Sequence, residues 1–317
     1  MAPEKTQNKA PKNKTLTLTT EDIETFQKSL LLLDDLKKGA DFINKIILGD
    51  CLQALDFLPD EFADLIIIDP PYNLTKDFNG QKFNAMNDDL YEKYLASWFF
   101  LVAKKLKKNG TLYMCGDYKC SCAMERVIKK ELTILNRITW QREKGRGAAK
   151  NFKNSMEDIW FAVKNPKDYY FDMRSIMQRR LVRAPYKVDG QPKDWTQTDC
   201  GKFRDTCPSN FWDDISVPFW SMKENTPHPT QKPEKLYAKL ILASSKKDDV
   251  VFDPFSGSGT SSVVAKKLGR KYVGIELDKE YALMAEKRLA SAENDNSIQG
   301  YRDGVFWERN TANFLQK

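Results

Sequence analysis

The sequence predicts an α/β fold built on a mostly parallel sheet, with a smaller region inserted into it. Three observations predict this. Short, continuous apolar runs alternate with helical segments along most of the chain, as expected of strands buried on both faces by crossover helices. Four of those runs stop at a carboxylate, at Asp50, Asp69, Asp253 and Glu276. Between about Phe171 and Pro227 the alternation fails. That stretch holds Pro185, Pro192, Pro208 and Pro218 with Trp195, Trp212 and Trp220, and it reads as an irregular insertion with its own small core.

In chain order, residues 1 to about 18 are polar and Lys-rich with two prolines, which predicts a flexible tail. Glu21 to Lys38 is helical in pattern, with Thr20 as cap, acids in the first turn and Lys37 and Lys38 in the last. The first strand is Ile46-Ile47-Leu48, before Asp50. The strongest is Leu65-Ile66-Ile67-Ile68, before Asp69. Thr111 to Met114 follows a helical segment and Asn109-Gly110, and Ile134 to Trp140 and Ile159 to Val163 are further strands. Val250-Val251-Phe252 runs into Asp253, and Tyr272 to Ile275 into Glu276. Ligands of such sheets bind beyond the carboxyl ends of the strands, and four acids there exceed what packing needs. The segment from Ser291 starts polar and then carries Tyr301, Phe306, Trp307 and Phe314, so it is expected to dock back onto the body. No internal repeat is visible.

Composition narrows the function. The 317 residues are 41% hydrophobic, too apolar for a disordered chain, and no apolar run approaches the roughly 18 residues of a membrane helix. The basic N-terminus lacks the apolar core of a signal peptide, so a soluble intracellular protein is expected. Cys115, Cys120 and Cys122 cluster, but the chain has one histidine, and their spacing matches no common zinc signature. They read as structural thiols, and no metal is expected. The formal charge is +7, concentrated between Arg137 and Lys187, where 13 Lys or Arg face 5 Asp or Glu. A polyanion would suit that patch, and a merely solvated basic face would explain it equally well.

Two motifs carry chemistry. Asp253-Pro-Phe-Ser-Gly-Ser-Gly-Thr260 follows a strand and precedes a helical run. Its glycines allow a sharp turn and a closely approaching ligand. Glu276 stands at the end of the next strand, where an acid can accept from ribose hydroxyls. No Lys follows Gly259, which excludes a P-loop, and Ser262 replaces the third glycine of a dinucleotide fingerprint. The pair therefore points to another nucleoside cofactor. The second motif is Asp69-Pro70-Pro71-Tyr72. The prolines fix the chain beyond the strand, Asp69 and the Pro70 carbonyl offer acceptors, and Tyr72 offers a face on which a base can stack. Alone, this could be a rigid turn. The absence of a Pro-Cys pair rejects cytosine C5 chemistry, and the absence of H-x-E and P-C-x-x-C rejects zinc deamination.

Together the motifs resemble the DNA amino-methyltransferases of β-class order, in which the catalytic motif precedes the cofactor motif. The resemblance covers about Ile46 to Leu289. It includes Asn73-Leu74 and His228-Pro-Thr-Gln-Lys-Pro233, a segment that borders the cofactor in the family. Adenine methylases of Type II restriction-modification systems are the nearest group. The resemblance implies a Rossmann-like sheet dependent on S-adenosylmethionine, with permuted motif order and an inserted target-recognition region. Its divisions are 1–40 (tail and N-terminal helix), 41–170 (catalytic half), 171–227 (target recognition), 228–290 (cofactor half) and 291–317 (C-terminal extension). It places Asp253, Pro254, Phe255, Ser256, Gly257, Ser258, Gly259 and Thr260 around the methionine part of the cofactor. Glu276 falls on the ribose, Asp50 on the adenine amino group and Lys232 on the methionine carboxylate.

The implied reaction is direct, in-line methylation of adenine N6 in double-stranded DNA on an extruded base. Asp69 and the Pro70 carbonyl accept the amino hydrogens, and Tyr72 stacks. Cytosine N4 is the alternative target, although those enzymes more often carry Ser in place of Asp69. RNA and protein methylases typically show Asn-Pro-Pro-Tyr. A catalytically dead DNA-binding module with the same fold is the reading from another class. DNA contacts are expected from Lys76 and Lys82, from Arg142, Lys144, Arg146 and Lys150, and from Arg174, Arg179, Arg180 and Arg183 in the insertion. The implied setting is the cytoplasm of a prokaryote, at the nucleoid. The implied partners are a second copy of the chain and a restriction endonuclease of the same site.

Overall fold

The computed structural model describes residues 10–142, 149–198 and 201–308. Lys144 and Arg146 lie outside them. The main sheet has nine strands among the described residues: β1 (Leu31–Leu32), β2 (Lys45–Leu48), β3 (Ala63–Ile68), β4 (Leu106–Gly116), β5 (Thr133–Gln141), β6 (Met156–Val163), β7 (Phe211–Trp212), β8 (Val250–Asp253) and β9 (Lys271–Glu276). Their spatial order is β1-β2-β9-β8-β3-β4-β6-β5-β7. The first six run parallel, and only β6 opposes its neighbours. Every strand expected from the apolar runs is present. This is the predicted α/β sheet of Rossmann-like, permuted order.

Alternate side chains of each strand enter opposite cores, as the two-residue period of a pleated strand requires. Leu65, Ile67 and Val251 pack with Leu236, Tyr237, Val263, Val264, Ala282 and Leu283, from the helices α6 (Glu234–Ser244), α7 (Thr260–Lys267) and α8 (Lys279–Asn294). Ile66, Ile68 and Phe252 pack on the other face. Their partners come from α3 (Cys51–Leu55), α4 (Asp88–Lys105) and α5 (Tyr118–Glu131), among them Leu95, Phe99, Met124 and Val127. Double burial explains why these strands read as continuous apolar runs.

The N-terminal helix differs from expectation. It is two short helices, α1 (Thr20–Phe26) and α2 (Leu33–Lys37), separated by β1. Thr19, not Thr20, caps α1, in a capping box with Asp22. Leu31 and Leu32 pair with Ile47 and Leu48. Covering an open sheet edge with a buried leucine outweighs one more helical turn. The described part of the tail is also held. The Lys14 and Leu16 amides donate to the carbonyls of Trp220 and Asn225, at 2.6 and 2.8 Å.

The predicted insertion divides in two. Gln178–Leu181, Thr196–Thr198 and Gly201–Thr206 form a separate sheet. The C-terminal Tyr301–Arg302 and Val305–Trp307 complete it, so the described part of the extension docks, with Phe203, Val305 and Trp307 as a small core, while Phe314 lies outside the described residues. From Phe211 on, the chain rejoins the main body, where β7 pairs with β5.

A buried ion cluster pins these parts together. All of α6 is buried, including Lys235 and Lys239. Lys235 Nζ lies 2.6 Å from Asp214 Oδ2 and donates to the Trp307 carbonyl at 2.8 Å. Lys239 Nζ reaches Asp214 Oδ1 at 3.3 Å and lies over the Trp212 ring. Burial pulls Lys239 down to about 8 against the pull of Asp214. Removing one partner of such a cluster leaves uncompensated charge in the interior. Asp214→Ala is therefore expected to cost about 3–5 kcal/mol in urea unfolding. An unchanged midpoint would show that the cluster does not hold the extension.

Candidate active site

The pairing of β3 with β8 brings the two motifs together. Leu65 and Ile66 sit beside Val251 and Phe252, so both strands open their carboxyl ends into one cleft of about 630 Å³. Asp50, Asp69, Pro70, Pro71, Tyr72, Lys76, Lys82, Arg142, Lys232, Asp253, Pro254, Phe255, Ser256, Gly257, Ser258, Thr260 and Glu276 all line it.

On the cofactor side the turn is held from below. Gly257 and Gly259 have φ of +54° and +77°, which glycine adopts without strain. Gly259 is outside the lining because it packs on α8, and a Cβ there would stand 2.5 Å from the Ala285 Cβ. Asp253 accepts from the Phe255 amide at 3.0 Å and the Ser261 hydroxyl at 2.5 Å. Glu276 Oε2 accepts from the Gly257 amide at 2.6 Å and Oε1 from the Asp278 amide at 2.8 Å. Burial pushes both Asp253 and Glu276 up to about 7. Arg288 clasps the turn from α8, donating to the Ser258 carbonyl at 2.8 Å and the Thr260 hydroxyl at 3.0 Å. Asp50 caps α3 through the Gln53 amide.

On the catalytic side lies a buried polar knot. The Tyr72 hydroxyl lies 2.9 Å from Asp69 Oδ1 and 3.1 Å from Glu157 Oε2. Lys232 Nζ donates to Asp69 Oδ2 at 2.6 Å and lies 3.4 Å from Glu157 Oε2. Arg142 Nη1 closes on Glu157 Oε1 at 2.6 Å. Burial raises the Asp69 carboxyl; Lys232 opposes this and Glu157 adds to it. Lys232 is held above its usual range, because the two carboxylates outweigh its burial. His228 stacks edge-on against Tyr281 at 4.4 Å, and burial, with Lys232 and Lys76 nearby, drops it to about 3, so it stays neutral.

Lys232 sits between the two motifs: its Nζ is on Asp69, and its carbonyl accepts from the Thr260 hydroxyl of the cofactor turn at 3.2 Å. Tyr72 commits its hydroxyl to Asp69 and Glu157, with Lys232 Nζ 5.2 Å from its ring centroid. Arg142, expected on DNA, pairs with Glu157. Of the insertion arginines, Arg179 forks onto Asp205 at 2.8 and 2.7 Å and lies over Trp307, and Arg180 pairs with Glu308. Their guanidinium groups hold the small sheet together. Lys150, Arg174 and Arg183 are exposed and away from the cleft. Sequence reasoning missed Glu157, whose only signal was an acid opening an apolar strand. It also missed Arg288, which lies in α8 outside both motifs.

Residues 63–287 match the family described as DNA methylase, most of the chain. The chain belongs to that family. The methylase is 35% identical to the Type II methyltransferase M.HpaI of Haemophilus parainfluenzae over 252 residues, 79% of this chain and 75% of the other. It is 36% identical to the DNA adenine methyltransferase YhdJ of Escherichia coli (strain K12), over 77% of this chain and 82% of that one. Among solved structures it shares the fold of the PvuII DNA methyltransferase (cytosine-N4-specific), with a TM-score of 0.58 at 19% identity, covering 80% and 92% of the two chains. No described helix of the methylase is long and apolar enough to cross a membrane.

The cofactor turn gives a direct test. A Cβ on Gly257 would meet His228 Nε2 at 3.0 Å, on a left-handed backbone. Gly257→Ala is expected to cost about 1–2 kcal/mol of stability in urea unfolding. A variant as stable as the wild type would contradict this turn geometry.

Proposed function

We propose that this methylase transfers a methyl group from S-adenosylmethionine to the N6 amino group of adenine in double-stranded DNA. One observation carries the reading: Asp69-Pro70-Pro71-Tyr72 and Asp253 to Thr260 open into the same cleft. An aspartate rather than a serine in the tetrad, and relatives named as adenine and Type II methyltransferases, support adenine as target. A cytoplasmic setting and a restriction endonuclease of the same site are what the family resemblance implies. A homodimer is the assembly the family resemblance implies.

The residues present fit the cofactor. Ser256 Oγ is buried in the turn without a hydrogen-bond partner among the described residues, and a side chain at Gly257 would collide with His228. Glu276 and Asp50 would accept from ribose and adenine donors, with the Gly257 to Thr260 turn beneath. When bound, S-adenosylmethionine supplies a methyl group activated by its sulfonium. The protein does the rest. Asp69 and the Pro70 carbonyl accept the amino hydrogens, which returns the nitrogen lone pair from the ring for attack. Tyr72 stacks on the extruded base, and pocket and phosphate contacts offset the few kcal/mol of unstacking. Lys82, Lys150, Arg174 and Arg183 are exposed and would meet phosphates rather than take part in the chemistry.

Incubation with tritiated S-adenosylmethionine and unmethylated mixed-sequence DNA, then digestion to nucleosides, tests the reading. Label is expected on N6-methyladenosine, and Asp69→Ala is expected to lower incorporation by about 10²-fold or more. Label on N4-methylcytidine would overturn the target, and label absent from DNA would overturn the reading.

Cofactor affinity should depend on pH. Burial raises Glu276 to about 7. Its contribution to folding without ligand is thus full below the unfolded value and is lost as pH rises through about 7. Ribose hydroxyls need the opposite, ionised form. Calorimetry with S-adenosylhomocysteine is expected to show binding about tenfold weaker at about pH 6 than at about pH 8. Glu276→Gln should remove most of that difference, and an affinity that strengthens on acidification would sink the assignment.

A further inference from the structure

Asp69 is not ready for substrate as the structure holds it. Its Oδ1 faces the Tyr72 hydroxyl at 2.9 Å and its Oδ2 faces Lys232 Nζ at 2.6 Å. An amino group entering the cleft must compete with both. Lys232 is the harder obstacle, because an ammonium on Asp69 neutralises the carboxylate just where positive charge will develop on the target nitrogen. Lys232 cannot simply let go. Its side chain is 5% exposed, and an unpaired buried ammonium is strongly disfavoured.

Glu157 offers the way out. Its side chain is 4% exposed, and its Oε2 already lies 3.4 Å from Lys232 Nζ and 3.1 Å from the Tyr72 hydroxyl. Its other oxygen is held by Arg142 at 2.6 Å, which fixes the carboxylate with Oε2 toward both donors. The cavities give the direction of movement. Asp69 lines the main cleft, and Glu157 lines a second cavity of about 220 Å³. Lys232, with Arg142 and His228, lines both. A swing of the ammonium from Asp69 to Glu157 therefore withdraws it from the substrate's side of the wall.

We propose that Glu157 is the positioning residue that frees Asp69: as the target amino group arrives, Lys232 and the Tyr72 hydroxyl pass from Asp69 to Glu157. One buried ion pair is exchanged for another, so no charge is stranded. Afterwards Glu157 carries both cations, and Asp69 keeps its full negative charge for the base. The Tyr72 ring is released to stack in the same movement. The proposal rests on Asp69 being the acceptor of the amino hydrogens.

The test is single-turnover methyl transfer to DNA at saturating S-adenosylmethionine, with Asp69→Ala as control. Glu157→Gln is expected to slow transfer by about 10- to 100-fold, while affinities for S-adenosylhomocysteine and for DNA stay within about twofold. Glu157→Asp, which keeps the charge on a shorter arm, is expected to recover part of the rate. Lys232→Gln added to Glu157→Gln should cost nothing further or restore activity, since the obstacle is then gone. Glu157→Gln at wild-type rate, with Asp69→Ala inactive, overturns the proposal alone. An active Asp69→Ala overturns the Asp69 assignment and the proposal with it. A Glu157→Gln loss that comes with lost cofactor binding, that Glu157→Asp does not relieve, or that Lys232→Gln multiplies, reduces Glu157 to a structural support and also overturns the proposal.

Discussion

The parallel pairing of β3 with β8 decides where everything else can be. These strands come from opposite halves of the chain, yet Ile66 sits beside Phe252, and each strand runs directly into its motif. Because the strands run parallel, both motifs must emerge on the same edge. An antiparallel pair would have put Asp69 and Asp253 on opposite edges of the sheet. Double burial stabilises the pairing: Leu65 and Ile67 face one core, Ile66 and Ile68 the other. A strand apolar on both faces has one place to go, the middle of the sheet, and so the catalytic motif has one place to go as well.

That placement creates an electrostatic problem. Asp69, Asp253 and Glu276 sit in the same low-dielectric edge, and burial raises all three. Each finds a different compensation. Asp253 and Glu276 take backbone amides of the turn they support, so their acceptor oxygens shape the cofactor cradle. Asp69 takes a lysine, and Lys232 takes Glu157 besides. Arg142 then balances Glu157. Two carboxylates and two cations close into a neutral unit.

The strands, their order of appearance and the two motifs were legible in the sequence because each leaves a contiguous signature, as the run from Leu65 to Ile68 does. Contacts made between distant segments leave none. Nothing near Glu157 in sequence announces Lys232 or Tyr72, since β6 reaches them only by lying antiparallel beside β4. The split of the N-terminal helix was hidden for a related reason. Leu30 to Leu33 suits a helix locally, and only the open edge at β2 makes it a strand. Arg179 and Arg180 looked like DNA contacts because their partners, Asp205 and Glu308, arrive from another strand and from the C-terminal extension. A count of basic residues cannot see that pairing.

The division of labour between the two loops follows from how each is held. The cofactor turn is braced by glycines at positive φ, by two carboxylates and by Arg288, contacts that keep one shape. The catalytic loop is braced by side chains that each have a second acceptor within reach: the Tyr72 hydroxyl lies between Asp69 and Glu157, and so does Lys232. A site that must bind the same cofactor at every turnover gains from the first kind of support. A site that must admit a base pulled from a duplex, and then let it go, needs contacts that can be exchanged without leaving a buried charge unpaired. The polar knot meets that need, and its neutrality is what allows it to exist in the interior at all.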